Sequence, residues 1–173
     1  MKKIVIASDS FKGSLSSLEV AASAKIGILE MLPDCEVVEV NVADGGEGTV
    51  GAIVQALQGE MITTEVKDPL GRSIRATYGL AGKMAIIEMA AASGLPLLLE
   101  EERNPMQTST YGTGELIMDA INRGCDHLLV GIGGSATNDA GTGMLQAMGY
   151  RFYDVHDNLI TWCTGETLQH IAR

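Results

Sequence analysis

The chain has 173 residues, 46% of them hydrophobic and 20% charged, and a net charge of −10. That is the composition of a soluble globular protein of one domain or two small ones, and the acidic balance excludes a nucleic-acid partner and an anionic membrane surface. Cys35, Cys125 and Cys163 lack metal-ligand spacing and an even count, and no apolar run reaches signal-peptide or membrane-span length, so the expected location is the cytoplasm.

Ile4–Ala7 reads as a buried strand that delivers Ser8-Asp9-Ser10-Phe11-Lys12-Gly13-Ser14 into a loop. Ser16 and Glu19 have capping-box spacing for the next helix, which stops before Pro33. Lys12 stands between a strand end and a helix start, where α/β folds hold ligands. It is a natural partner for a phosphate or carboxylate, with a solvated surface lysine as the alternative. Cys35–Val42 gives a second strand that ends in Ala43-Asp44-Gly45-Gly46-Glu47-Gly48-Thr49. A helix follows through Val50, Ile53, Val54 and Leu57 and closes at Gly59. A turn needs a residue or two of positive φ but no acidic pair. Asp44 and Glu47 therefore point to a magnesium ion, or to a carboxylate that takes a proton from a hydroxyl. An acidic cap on the helix is the simpler alternative.

The texture changes at Met61. Met61–Val66 and Ser73–Tyr78 alternate polar and apolar residues around Asp68-Pro69-Leu70-Gly71, which is a hairpin signal. Met84–Met89 adds a strand, with Glu88 near its end as a site candidate or a carboxylate satisfied by Arg72, Arg75 or Lys83. Thr108, Ser109 and Thr110 precede Tyr111-Gly112-Thr113-Gly114-Glu115, which opens a helix that ends at Arg123-Gly124, a basic last turn and a terminating glycine. That opening suits an anion, or is only a good cap.

The richest stretch is His127–Gly143. Leu128–Val130 reads as a buried strand, then Gly131, Gly133, Gly134, Gly141 and Gly143 punctuate a loop that leads into a helix at Met144. Such a loop lets the backbone approach a ligand, and the first helix N–H groups point at it. Ser135, Thr137, Asn138 and Asp139 then serve as helix caps, or as ligands to a phosphate or its metal ion. Tyr150–Tyr153 is a strand, Asp154–Asn158 a turn and Thr164–Ile171 a helix. Gly131-x-Gly133-x-x-Ala136 with Asp154 further on imitates a dinucleotide fingerprint, so an NAD(P)-dependent oxidoreductase is the competing reading. The match is weak, because the helix should begin inside the motif. Three strand ends that deliver polar, glycine-bearing loops to helix starts define an α/β fold with ligands at the carboxyl edge of its sheet.

Ile4-Val-Ile-Ala-Ser-Asp-Ser-Phe-Lys-Gly-Ser-Leu-Ser, Ala43-Asp-Gly-Gly-Glu-Gly-Thr and Gly131-Ile-Gly-Gly-Ser-Ala-Thr-Asn-Asp together resemble the bacterial glycerate kinase family. Ile87-Glu-Met-Ala-Ala-Ala-Ser-Gly-Leu, Arg103-Asn-Pro and Gly112-Thr-Gly-Glu-Leu extend the resemblance over the whole chain. It implies transfer of the ATP γ-phosphoryl group to a hydroxyl of D-glycerate, with Mg2+. It also implies two α/β domains with parallel or mixed sheets and a glycine-rich loop cleft, the first domain completed by the end of a longer chain. Residues 1–60 are then part of the first domain and residues 61–173 part of the second. The chain corresponds to an N-terminal portion, expected to be weakly active or inactive alone and prone to self-association, or else a non-catalytic binding domain.

With the resemblance, the residue chemistry assigns Asp9, Lys12 and Asp44 to catalysis, Asp9 or Asp44 accepting the hydroxyl proton. Nucleotide or glycerate falls to Ser10, Gly13, Ser14, Gly45, Gly46, Gly48, Thr49, Gly131, Gly133, Gly134, Ser135, Thr137 and Asn138. Glu47 and Asp139 are assigned to the metal ion. Arg72, Arg75 and Arg103 are the other cations on offer for the glycerate carboxylate. Ser8 stands where the family usually has proline, and Ala140 where it usually has glycine.

Overall fold

The computed structural model describes residues 3–8, 11, 14–41 and 48–173. The chain divides into two compact units, Met1–Asp44 and Gly45–Arg173.

In the first unit, β1 (Lys3–Ser8) and β2 (Glu36–Asn41) pair in parallel, with Ile4 opposite Val37 and Ala7 opposite Val40. Parallel neighbours need a crossover, and α1 (Ser17–Met31) supplies it, packing on both strands and burying Ala21. The capping box forms as its spacing predicts. The Glu19 N–H donates to Ser16 Oγ at 3.3 Å, and the Ser16 N–H donates to the Glu19 carboxylate at 2.8 Å.

The second unit is built on a mixed sheet of order β3-β4-β5-β6. The expected hairpin is present as β3 (Glu60–Lys67) and β4 (Ser73–Ala81), closed by a turn in which Asp68 accepts from the N–H groups of Leu70 and Arg72. Gly71 takes φ +83° there. β5 (Met84–Glu88) runs antiparallel to β4, and β6 (His127–Gly131) runs parallel to β5. The chain crosses between them through the short α3 (Ala90–Ser93) and α4 (Tyr111–Asn122).

Alternation along β5 sorts the core. Ala85 and Ile87 join Leu116, Ile117 and Ala120 of α4, whereas Ile86 packs with Val50 and Val54 of α2 (Thr49–Leu57). The sheet is therefore covered on both faces near its centre. Each of the two buried valines is worth about 1.5–3 kcal/mol. α2 sits so close that a Cβ on Gly79 would lie 2.2 Å from Val54 Cγ2. Packing on β4 and β5 puts α2 in the second unit.

Two local expectations are corrected. Leu128 and Leu129, expected in a buried strand, are 42% and 45% exposed, because β6 is the edge of the sheet with β5 as its neighbour. The last helix is a 3₁₀ segment, Glu166–His170. Thr167 Oγ1 both donates to the Thr164 carbonyl and accepts from the Thr164 N–H, and such side-chain bonds compete with regular helix. β7 (Phe152–Tyr153) and β8 (Leu159–Ile160) form a small hairpin after α5 (Thr142–Ala147). The three cysteines are buried and none is in a disulfide, and no helix among the described residues is long and apolar enough to cross a membrane.

Candidate functional site

β5 and β6 end side by side, with Glu88 the register partner of Gly131. From there the glycine-rich loop runs back along the segment after β5. The Met89 N–H donates to the Gly131 carbonyl at 2.9 Å, the Leu95 N–H to the Gly134 carbonyl at 3.0 Å, and the Ala136 N–H to the Ser93 carbonyl at 2.9 Å. Thr108 Oγ1, buried, donates to the Ala136 carbonyl at 2.8 Å. The turn itself is made by Gly134 at φ +73°, a conformation open to glycine. The hydroxyls of Ser135 and Thr137 are hydrogen-bonded to each other at 2.8 Å, and Asn138 is exposed.

Glu88 ties a second loop to this edge. Its Oε1 accepts the Val50 N–H at 2.8 Å, so a carboxylate sits at the positive end of α2, just after Gly48 and Thr49. None of the three cations proposed for Glu88 from sequence holds it. Arg72 is bound to Asp68 and Glu102, Lys83 to Asp126, and Arg75 lies opposite Glu65 in the hairpin. Gly48, Thr49 and Gly131 are thus gathered at the carboxyl edge of the β5–β6 pair, linked by a residue the sequence singled out with the wrong partners.

The start of α5 differs from expectation. Asp139 is 1% exposed, and its Oδ2 accepts from the Thr110 N–H at 2.8 Å, Thr110 Oγ1 at 2.8 Å and the Gly143 N–H at 3.1 Å. Its Oδ1 accepts from the Gly141 N–H at 3.0 Å, and its main-chain carbonyl from the Thr142 N–H at 3.0 Å. The Met144 N–H goes to Thr110 Oγ1 at 2.8 Å. The helix N–H groups that the sequence offered to a ligand are spent on the protein's own atoms. Asp139 faces four protein donors in place of a metal ion, and a carboxylate has about four lone-pair sites to fill. At the opening of α4 the Tyr111 N–H donates to Ser109 Oγ at 3.3 Å, and Thr113 Oγ1 lies 2.7 Å from the Ser93 hydroxyl.

Asp9, Ser10, Lys12, Gly13, Asp44, Gly45, Gly46 and Glu47 lie outside the described residues. Ser14 is exposed in the first unit, its N–H donating to the Phe11 carbonyl at 2.8 Å. Among the described residues, no group of three His, Cys, Asp or Glu side chains is arranged to hold a metal ion. The dinucleotide reading fails on geometry. α5 begins only at Thr142, beyond the fingerprint, and Asp154 is committed to its own turn. Its carboxylate accepts from Asn158 Nδ2 at 3.0 Å and from the N–H groups of Asn158 and His156, and these bonds hold its pKa below the ordinary carboxylate value. Thr110 is the residue that sequence reasoning missed in this role. Nothing local to it announces a bond to a loop far along the chain.

A glycine loop between a parallel strand end and a helix, beside a second helix start, is the ligand-binding arrangement of an α/β protein. A family model, the glycerate kinase family, matches residues 4–173, and the chain belongs to that family. It is 53% identical to a glycerate kinase of Haemophilus influenzae, over 91% of this chain and 42% of that protein. It is 51% identical to the glycerate 2-kinase of Escherichia coli, again over 91% and 42%. A crystal structure from Salmonella typhimurium LT2 assigned to glycerate kinase 2 matches 99% of this chain and 46% of that one, at 49% identity and a TM-score of 0.81. The chain thus spans less than half the length of these relatives.

Proposed function

We propose that the protein acts in ATP-dependent phosphorylation of D-glycerate. The observation that carries this reading is the Gly131–Asn138 loop, pinned at the carboxyl edge of the parallel pair in a chain of the glycerate kinase family. Phosphoryl transfer asks little covalent help of a protein. It asks that donor and acceptor be held in line while developing charge is neutralised. In this reading the hydroxyl oxygen of glycerate attacks the γ-phosphorus, the bond to the β-phosphate oxygen breaks, and ADP leaves. Asp9 or Asp44 takes the hydroxyl proton. Ser135, Thr137 and Asn138 offer hydroxyl and amide groups to the anions, and Lys12 is the cation assigned to them.

Asp139, already filled by four donors, does not fit a magnesium ion. Asp44 and Glu47 are the carboxylates left for that place. Because α5 is closed and the Glu88 carboxylate already answers the start of α2, the anion is met by the loop between Gly131 and Asn138.

Thermal unfolding tests the reading. At one hundred times its dissociation constant, ATP with magnesium should add about 2.7 kcal/mol to the stability of this chain. In a protein of this size that raises the melting temperature by roughly 5–10 °C. NAD(H) should leave it where it was. A shift with NAD(H) and none with ATP would reverse the assignment.

A further inference from the structure

Resting on the kinase reading, we propose that Asp139 and Thr110 are positioning residues for the ligand loop. Without touching the ligand, they hold Gly131–Asn138 in its binding shape and close the start of α5 to anions. Thr110 is the N-cap residue of α4, yet its hydroxyl makes no bond to its own helix. An N-cap hydroxyl ordinarily accepts from the second or third N–H of the helix it caps. Here Thr110 Oγ1 accepts from Met144 of α5 and donates to Asp139 Oδ2. Two helix starts therefore converge on one buried carboxylate, which answers the positive ends of both.

The loop is strung between two anchors. One is its ladder to Ser93 and Leu95, and the other is the Asp139–Thr110 knot. The second anchor has no slack. A Cβ on Gly143 would lie 2.1 Å from Ser109 Oγ and 2.8 Å from Asp139 Oδ2, so α5 already touches the entry to α4. Ala140, between Asp139 and Gly141, is held at φ +51°, a region disfavoured for a residue with a Cβ. Such strain persists only where the surroundings over-determine it, and the bonds of Asp139 to Gly141 and Gly143 do so here. With the N–H groups of Gly141, Thr142, Gly143 and Met144 all committed, the ligand's negative charge falls to the loop's own groups.

The test uses the 173-residue chain. Asp139→Ala removes an acceptor from four donors and loses too much stability for binding to be read alone, so Thr110 variants decide. Thr110→Val keeps the shape and removes the hydroxyl, and Thr110→Ser restores it. At a temperature where melting curves show all forms folded, Thr110→Val should bind ATP with magnesium about tenfold more weakly by calorimetry, and Thr110→Ser within about twofold of the parent. An unchanged affinity in Thr110→Val would make the pair merely structural and overturn the proposal. Amide hydrogen exchange supplies a readout that needs no ligand. In Thr110→Val, exchange at Gly141, Gly143 and Ser135–Asn138 should quicken about tenfold while Ile86 and Ile87 of β5 hold. Loop exchange at the parent rate would also overturn the proposal. If the parent chain binds no ATP but the loop still loosens in Thr110→Val, the kinase reading fails and the positioning role stands.

Discussion

Assayed by themselves with ATP and D-glycerate, these 173 residues are expected to turn over about a thousandfold or more below the roughly 1–100 per second usual for kinases. The chain spans 42% of the Haemophilus influenzae and Escherichia coli relatives and 46% of the Salmonella structure it matches. A transferase holds donor and acceptor in register from several sides at once. That positioning can be worth about 7–11 kcal/mol of barrier, so a protein that supplies only some of the walls forfeits much of it. Steady-state ADP release is the measurement. Joining these residues to the portion of the Haemophilus influenzae relative that they do not match should return turnover toward the ordinary range. Ordinary rates from the 173 residues alone would mean that they carry every group the reaction needs.

Asp139→Ala is expected to cost about 3–5 kcal/mol of stability, a large part of the roughly 5–15 kcal/mol typical of a whole protein. Four donors lose their acceptor in a place that is 1% exposed. A buried donor left unpaired costs about 1–3 kcal/mol, with some returned by relaxation. Asp139→Asn should fare little better, because its amide nitrogen would bring two hydrogens to a spot where every neighbour is also a donor. Urea denaturation of parent and variants reads the difference. A loss below about 1 kcal/mol would mean that water satisfies the knot once the carboxylate is gone.

Much of the fold was legible because its signals are local. The Ser16–Glu19 box, the alternation either side of Asp68–Gly71 and the glycine after Arg123 each act within a few residues, and each appears as read. What failed depended on partners distant in the chain. Leu128–Val130 is as apolar as a central strand, but exposure is set by position in the sheet, and β6 lies at the edge. Asp139 looks like a ligand by its company of glycines and hydroxyls. Only the fold brings Thr110 against it and turns a candidate metal ligand into a tie between helices. Glu88 reads as a site candidate or the partner of a nearby cation, but the α2 N–H that it accepts is 38 residues away and leaves no trace in the local pattern. Pattern reading sees what a residue type can do, and packing decides which of those uses is taken.

The order of the sheet also sets a sequence of events in time. β3 and β4 meet through a tight turn, so their ladder closes a short stretch of chain. β5 and β6 meet only after everything between Met89 and Asp126 has been brought back, and that entropy is lost before the parallel pair returns anything. The hairpin should therefore form early in folding, and β6 should dock late with the glycine loop attached. Substitutions at Thr110 or in the loop would then hasten unfolding and leave refolding nearly unchanged, whereas those in the hairpin would slow refolding, a contrast that stopped-flow kinetics reads directly. A bound ligand, by gripping the last piece to assemble, would act chiefly as a brake on the first step of unfolding.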